Sequence, residues 1–163
     1  MEIYPDFRDL LRLFNAHAVE FVIVGGYAVG HHGAPRYTGD IDLFVRPTDE
    51  NAARVLAALG EFGFASLSLE QSDFNRPDRV TQLGFPPCRV DIVTSLDAVE
   101  FDDAVGGAST GTYGDVEVRY LGRDALLRNK RAVGRAKDLA DVDALEGRVS
   151  GRALRSESEP PPG

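Results

Sequence analysis

The stretch FVIVGGYAVGHHGAPRYTGDIDLFV, residues 21–45, decides the fold. Its opening, Phe21 to Val24, is an apolar, β-branched run closed by Gly25 and Gly26, the pattern of a central strand cut off by a turn with unusual backbone angles. Residues 27–32 suffice for one or two helical turns, which Gly33, Ala34 and Pro35 then stop. From Asp40, the run DIDLFV resumes a two-residue alternation, so Asp40 and Asp42 project from the same face of a second strand.

Two like charges side by side near a core repel each other and are costly. A divalent cation is the commonest reason to keep them. Mg²⁺, with Mn²⁺ as a substitute, takes one or two carboxylates, several waters and phosphate oxygens of a substrate. The Gly25-Gly26 turn supplies the complementary half, because bare backbone N–H groups where a helix begins can cradle a phosphate. A metal clamp beside a phosphate cradle suggests phosphoryl or nucleotidyl transfer. A solvated strand end with a glycine turn is the bland alternative for the same residues.

The stretch resembles the DNA polymerase β-type nucleotidyltransferase superfamily. That signature is an apolar strand, Gly-Gly or Gly-Ser, a spacer, and Asp-x-Asp among apolar residues, with a third acidic residue on a later strand. Gly25-Gly26 and Asp40-Ile41-Asp42 match it, Thr38 falls where the family often has Ser or Thr, and Asp91 within CRVDIV, residues 88–93, provides the third acid. The resemblance implies an α/β (α+β) fold, a mixed twisted sheet with flanking helices. It also implies a Mg²⁺-dependent enzyme that moves a nucleoside monophosphate from a triphosphate such as ATP to an acceptor hydroxyl. Asp40, Asp42 and Asp91 would be its catalytic and metal-binding residues, with Gly25, Gly26 and Thr38 on the nucleotide. Arg36, just before the Asp-x-Asp strand, is a candidate for holding triphosphate or buttressing the carboxylates, or is simply a surface arginine after a Pro turn.

A chain of 163 residues suits one domain with a proper core, expected over residues 1–149, and 43% apolar content marks it as globular. No stretch approaches the roughly 20 apolar residues that span a membrane, and the acidic N-terminus lacks the features of a signal peptide, so a cytoplasmic protein is expected. The single cysteine, Cys88, excludes an internal disulfide and argues against a thiolate zinc site. The net charge of −8 argues against a surface that grips nucleic acid all over. Its distribution is uneven. Residues 1–118 carry 8 basic and 19 acidic side chains, whereas residues 119–155 carry 10 basic and 5 acidic. A basic segment of this kind could guide a polyanion or simply be a solvated helix face.

Outside the central stretch, residues 6–17 read as an amphipathic helix behind Pro5, carrying Phe7, Leu10, Leu11 and Phe14. Residues 48–62 read as a covering helix capped by Thr48, residues 64–69 as a strand, and residues 71–78 as a polar loop. Residues 79–84 and 88–94 read as an antiparallel pair that brings Asp91 beside the first two aspartates, and Gly114-Asp115 marks a hairpin. Residues 123–145 read as two helices broken at Gly134, the second burying Leu139, Val142 and Leu145. Residues 150–163 have no core-forming pattern and read as a disordered tail. His17 suits a helix end, and of the neighbours His31 and His32 at most one could face the site.

The chain's only lysines, Lys130 and Lys137, lie within residues 129–141, NKRAVGRAKDLAD. This segment resembles one found in small bacterial members of the superfamily, including relatives of the abortive-infection AbiE-type toxin nucleotidyltransferases. That likeness implies triphosphate contacts from Lys130 and Lys137, with Asp138 orienting a lysine or the helix. It also implies a toxin-like role with an antitoxin partner. A chain this short has little room for a separate substrate domain, so a partner or self-association could help form the acceptor site. RNA, a small hydroxylated molecule and a protein side chain all stay open as acceptors. The rival readings are a catalytically silent nucleotide- or partner-binding module on the same fold and a nucleic-acid binder acting through the basic segment.

Overall fold

The computed structural model describes residues 2–35 and 37–147. Arg36 and the segment expected to form a tail lie outside the described residues. Strands β1 (Phe21–Val24), β2 (Asp40–Val45), β3 (Val80–Leu83), β4 (Arg89–Val93), β5 (Ser109–Tyr113) and β6 (Val116–Tyr120) form one sheet in the order β3-β4-β2-β1-β6-β5. β2 runs antiparallel to β1 and parallel to β4, β1 runs parallel to β6, and an antiparallel pair closes each edge. All four residues of β1 are buried, as its unbroken apolar run requires for a strand covered on both faces. The chain is thus a mixed α/β fold with a six-stranded mixed sheet.

Helix α1 (Pro5–Ala16) starts on the proline and buries Phe7, Leu10, Leu11 and Phe14, one stripe at helical spacing. Phe14 meets Phe21 of β1 edge to face, with ring centroids 5.3 Å apart. Helix α3 (Asp49–Leu59) packs against α1, and the Thr48 hydroxyl caps it by accepting from the Asn51 N–H. Asn51 is fully buried and ties two strand ends together. Its amide donates to the carbonyls of Glu20 and Arg46, just outside β1 and β2, and its oxygen accepts from the Glu20 N–H. Helices α2 (Gly25–His31), α4 (Phe101–Gly106), α5 (Arg123–Val133) and α6 (Ala136–Leu145) complete the order, α5 and α6 packing together across Gly134. Gly134 takes φ 70°, a left-handed turn that ends α5 as expected.

Two expectations are corrected. Residues 64–69 form no strand: after α3 the chain makes an irregular turn, Gly60–Phe64, kinked where Gly63 has φ 124°, and Ser68 also has positive φ. Such angles break the extended backbone that a ladder needs, whatever the side-chain pattern. Leu139 is not on the buried stripe of α6; it is 46% exposed, and Asp138 and Asp141 are buried beside Val142 and Leu145 instead.

Candidate active site

The sheet register brings the three aspartates together. Asp42 lies opposite Asp91 on the parallel pair β2 and β4, and opposite Val24 at the end of β1; Asp40, two residues earlier, lies on the same face. One carboxylate oxygen from each of Asp40, Asp42 and Asp91 falls within 4.8 Å of the others. Antiparallel pairing of β1 with β2 explains why the Gly-Gly turn belongs here: the chain leaves β1 at Gly25 just where Asp42 enters. Gly25 has φ +67°, and a Cβ on it would sit 2.0 Å from the Asp42 Oδ2. Glycine takes this angle without strain, and any Cβ here would force the Asp42 carboxylate to move. A Cβ on Gly26 would lie 3.0 Å from the Thr38 Cβ and Oγ1. Thr38 donates its hydroxyl to the Asp40 carbonyl at 2.9 Å and lies 3.2 Å from the Asp40 Oδ1, which fixes the start of β2.

One guanidinium holds the acidic group together. The Arg89 Nη2 donates to the Asp40 Oδ2 at 2.9 Å and to the Asp91 Oδ2 at 3.1 Å, while its Nε donates to the Asp91 Oδ1 at 3.1 Å. The three acids respond differently. Burial, then the charges of Asp40 and Asp91, push the Asp42 carboxyl up to about 7, with Lys130 acting the other way. Burial and the hydrogen bond to Asp40 push Asp91 up to about 6 against the pull of Arg89. Asp40 is held low: burial would raise it, but hydrogen bonds from Asp91 and Arg89 prevail. A hard, oxygen-only donor set that resists carrying its full negative charge alone fits a divalent cation.

These residues floor an open cleft of about 550 Å³, large enough for a small-molecule ligand. Gly25, Gly26 and Thr38 line it from the strand side, and Lys130, Arg135, Lys137 and Asp138 from α5 and α6. Lys130 is buried and pairs with Asp138 at 3.3 Å and Asp141 at 3.0 Å. Asp138 also accepts from the Arg135 Nε at 2.7 Å and from the Arg135 backbone N–H at 3.3 Å, so it orients the lysine and caps α6 together. Lys137 is exposed on the same wall and, among the described residues, makes no ion pair.

Eight of the nine residues expected at the site therefore line one cleft, and the ninth, Arg36, lies outside the described residues. The histidines are placed elsewhere. His31 stacks on Tyr120 at 4.1 Å and bonds the Ser109 hydroxyl, His32 donates to the Leu121 carbonyl, and His17 meets Glu61. Arg89 and Arg135 were not foreseen. Arg89 stands two residues before Asp91, so strand alternation alone puts both on one face; Arg135 stands three before Asp138, one helical turn.

By sequence, no family model matches the chain, and no curated protein matches it. By structure, it resembles ANT(2″)-Ia in complex with adenylyl-2″-tobramycin, with a TM-score of 0.55 at 15% identity over 92% of this chain and 91% of that one. A solution structure of the antibiotic-resistance factor ANT(2″)-Ia gives 0.54 at 16% identity over 94% and 93%. The lincosamide antibiotic adenylyltransferase LnuA, lincomycin-bound, gives 0.54 at 14% over 91% and 99%. The chain shares the fold of these proteins.

Proposed function

We propose that this chain is a metal-dependent nucleotidyltransferase that moves a nucleoside monophosphate from a triphosphate to an acceptor hydroxyl and releases pyrophosphate. The observation that carries this reading is a single cleft with three carboxylates on its floor and Lys130, Arg135 and Lys137 on its wall. Asp40, Asp42 and Asp91 would hold Mg²⁺, or Mn²⁺ in its place. When bound, the cation offsets phosphate charge and polarises the phosphoryl oxygens.

The chain's own residues supply the rest. Lys137 and Arg135 draw the triphosphate to the helical wall, and Gly25 and Gly26 let the backbone come close to its phosphates. Thr38 keeps Asp40 aimed into the cleft, and Lys130 adds a buried positive charge beside Asp42. The acceptor oxygen attacks the α-phosphorus and a new P–O bond forms. The bond from that phosphorus to the bridging oxygen breaks, pyrophosphate carries away the electron pair, and Asp91 takes the acceptor proton.

The molecules named in the structural neighbours, adenylyl-2″-tobramycin and lincomycin, support a small hydroxylated acceptor here too. The segment 129–141 supports a toxin-like branch of the proposal with an antitoxin partner. We place the reaction in the cytoplasm, where nucleoside triphosphates are plentiful. The test is to incubate the protein with Mg²⁺ and each labelled triphosphate in turn, adding RNA, a small-molecule extract or protein lysate, beside an Asp40→Asn control. Label entering one fraction only with the intact aspartate supports the reading and identifies the acceptor class; transfer that survives in Asp40→Asn refutes it.

A further inference from the structure

Arg89 occupies the place where a divalent cation would compete. Its guanidinium bridges Asp40 and Asp91 through three contacts of 2.9 to 3.1 Å, and one nitrogen serves both carboxylates. The register sets it there: Arg89 lies directly across from Asp40 on the parallel pair and shares a strand face with Asp91. Carboxylate oxygens that accept from a guanidinium have those lone pairs engaged, and Mg²⁺ needs such oxygens at about 2.0–2.1 Å in near-octahedral geometry. A guanidinium nitrogen and a divalent ion cannot share that space.

The arrangement is also incomplete in charge, since one guanidinium pairs with two of the three grouped carboxylates and leaves Asp42 unbridged. It holds the acids together without neutralising them, so a doubly charged ion can outcompete it. The side chain is one-third exposed and lines the cleft, so it has room to leave. An arginine freed from two carboxylates in a cleft that admits a triphosphate has an anion of matching fork geometry at hand.

We propose that Arg89 is the built-in counter-cation of the metal centre: it keeps Asp40 and Asp91 together before a divalent ion arrives, yields them to that ion, and turns to the triphosphate. Resting on the metal-dependent reading above, this makes Arg89 a positioning residue that couples metal to nucleotide. Removing it should move two affinities in opposite directions, which loss of a merely structural brace would not do.

The experiment compares the intact chain with Arg89→Gln and Arg89→Lys at pH 8, after circular dichroism has verified the fold. Mn²⁺ binding without nucleotide is titrated by electron paramagnetic resonance of the free ion. Binding of a triphosphate analogue with a non-cleavable α,β bridge is measured at saturating Mn²⁺. For Arg89→Gln we expect Mn²⁺ alone to bind about 5- to 10-fold tighter and the analogue about 10-fold weaker, within the usual range of coupling between two ligands. Arg89→Lys, which keeps charge but loses the fork, should shift each affinity the same way by less, and it decides the matter if the glutamine variant does not fold. Mn²⁺ affinity unchanged or weakened in the folded variants overturns the counter-cation role, and unchanged analogue binding overturns the hand-over to phosphate. Mn²⁺ bound by none of the three proteins overturns the metal-dependent reading as well.

Discussion

Two groups of charged side chains meet at the cleft, one at the strand ends and one on the helical pair, and they are balanced differently. On the helices, Lys130 and Arg135 face Asp138 and Asp141, two positive against two negative. Asp138 is 1% exposed, yet its carboxyl is held below the usual range: burial works against that, and Arg135 and Lys130 outweigh it. At the strand ends, Arg89 pairs with Asp40 and Asp91 and, among the described residues, leaves Asp42 without an ion pair of its own beyond the nearby charge of Lys130, and burial pushes Asp42 up to about 7 and Asp91 up to about 6. Buried charge that is matched braces a fold, and buried charge left in excess waits for a ligand. The excess here is negative and lies on the floor, whereas the exposed positive charge of Lys137 lies on the wall; that polarity suits a divalent cation carrying a polyphosphate.

The sharpest way to break this contrast is to neutralise one member of each group. Asp42→Asn keeps the shape of the side chain and removes a charge that the folded state resists. Nucleotidyl transfer should fall at least about 1,000-fold, the upper range for removing one group that stabilises developing charge, with stability at pH 8 kept or increased. Transfer rates and urea denaturation of the same preparation check both halves. Lys130→Met should do the reverse to the fold. It leaves Asp138 and Asp141 buried with one counter-charge fewer, and breaking a buried pair in this way costs about 3–5 kcal/mol, read from the urea midpoint. A Lys130→Met protein as stable as the intact one would show that the helical group is no brace.

How far the sequence foretold these groups depends on the range of the interaction. Asp40 and Asp42 are legible because a two-residue period fixes which face a strand residue occupies and apolar neighbours mark the strand, Gly25 and Gly26 because they close an apolar run, and Asp91 because the family resemblance calls for a third acid on a later strand. Arg89 is not, since its bridge to Asp40 depends on the β2–β4 register between segments 49 residues apart. Leu139 misleads for a related reason. Its spacing from Val142 suits an apolar stripe, but α6 turns Asp138 and Asp141 inward to answer Lys130, and Leu139 faces out. Residues 64–69 carry apolar side chains, and positive φ at Gly63 and Ser68 keeps them out of the sheet.

A smaller effect sharpens the geometry at the strand ends. Gly25→Ala would place a methyl 2.0 Å from the Asp42 Oδ2 at a φ of +67°. The carboxylate is the far end of a side chain and can move aside, so the fold should lose only about 1–2 kcal/mol from the left-handed angle. Aim suffers more than stability: transfer should fall about 100-fold, as a displacement of about 1 Å in a reacting group does. Equal activity in the alanine variant would mean that the contact between Gly25 and Asp42 does not set the position of that carboxylate.

The gentlest test is pH, because Asp42 and Asp138, one from each group, should destabilise the metal-free protein at opposite ends of the scale. Asp42 and Asp91 bind protons more tightly folded than unfolded, where a carboxyl titrates near 3.9. Their contribution is therefore fully present below that value and is lost as pH rises through about 6 and about 7. Asp138 has the opposite sign, and so does Asp40 at the strand ends: their contribution is present above the unfolded value and is lost as pH falls toward their lowered folded ones. Stability should peak between these limbs, with Tm dropping roughly 5 °C between pH 5.5 and pH 8. Asp42→Asn should shrink the alkaline limb and leave the acid limb, Asp138→Asn should shrink the acid limb and leave the alkaline one, and millimolar Mn²⁺ should restore Tm at pH 8 in the intact chain but not in Asp42→Asn. If the alkaline limb survives Asp42→Asn unchanged, the excess charge at the strand ends is not what the folded state resists, and the distinction between a brace and a waiting site fails there.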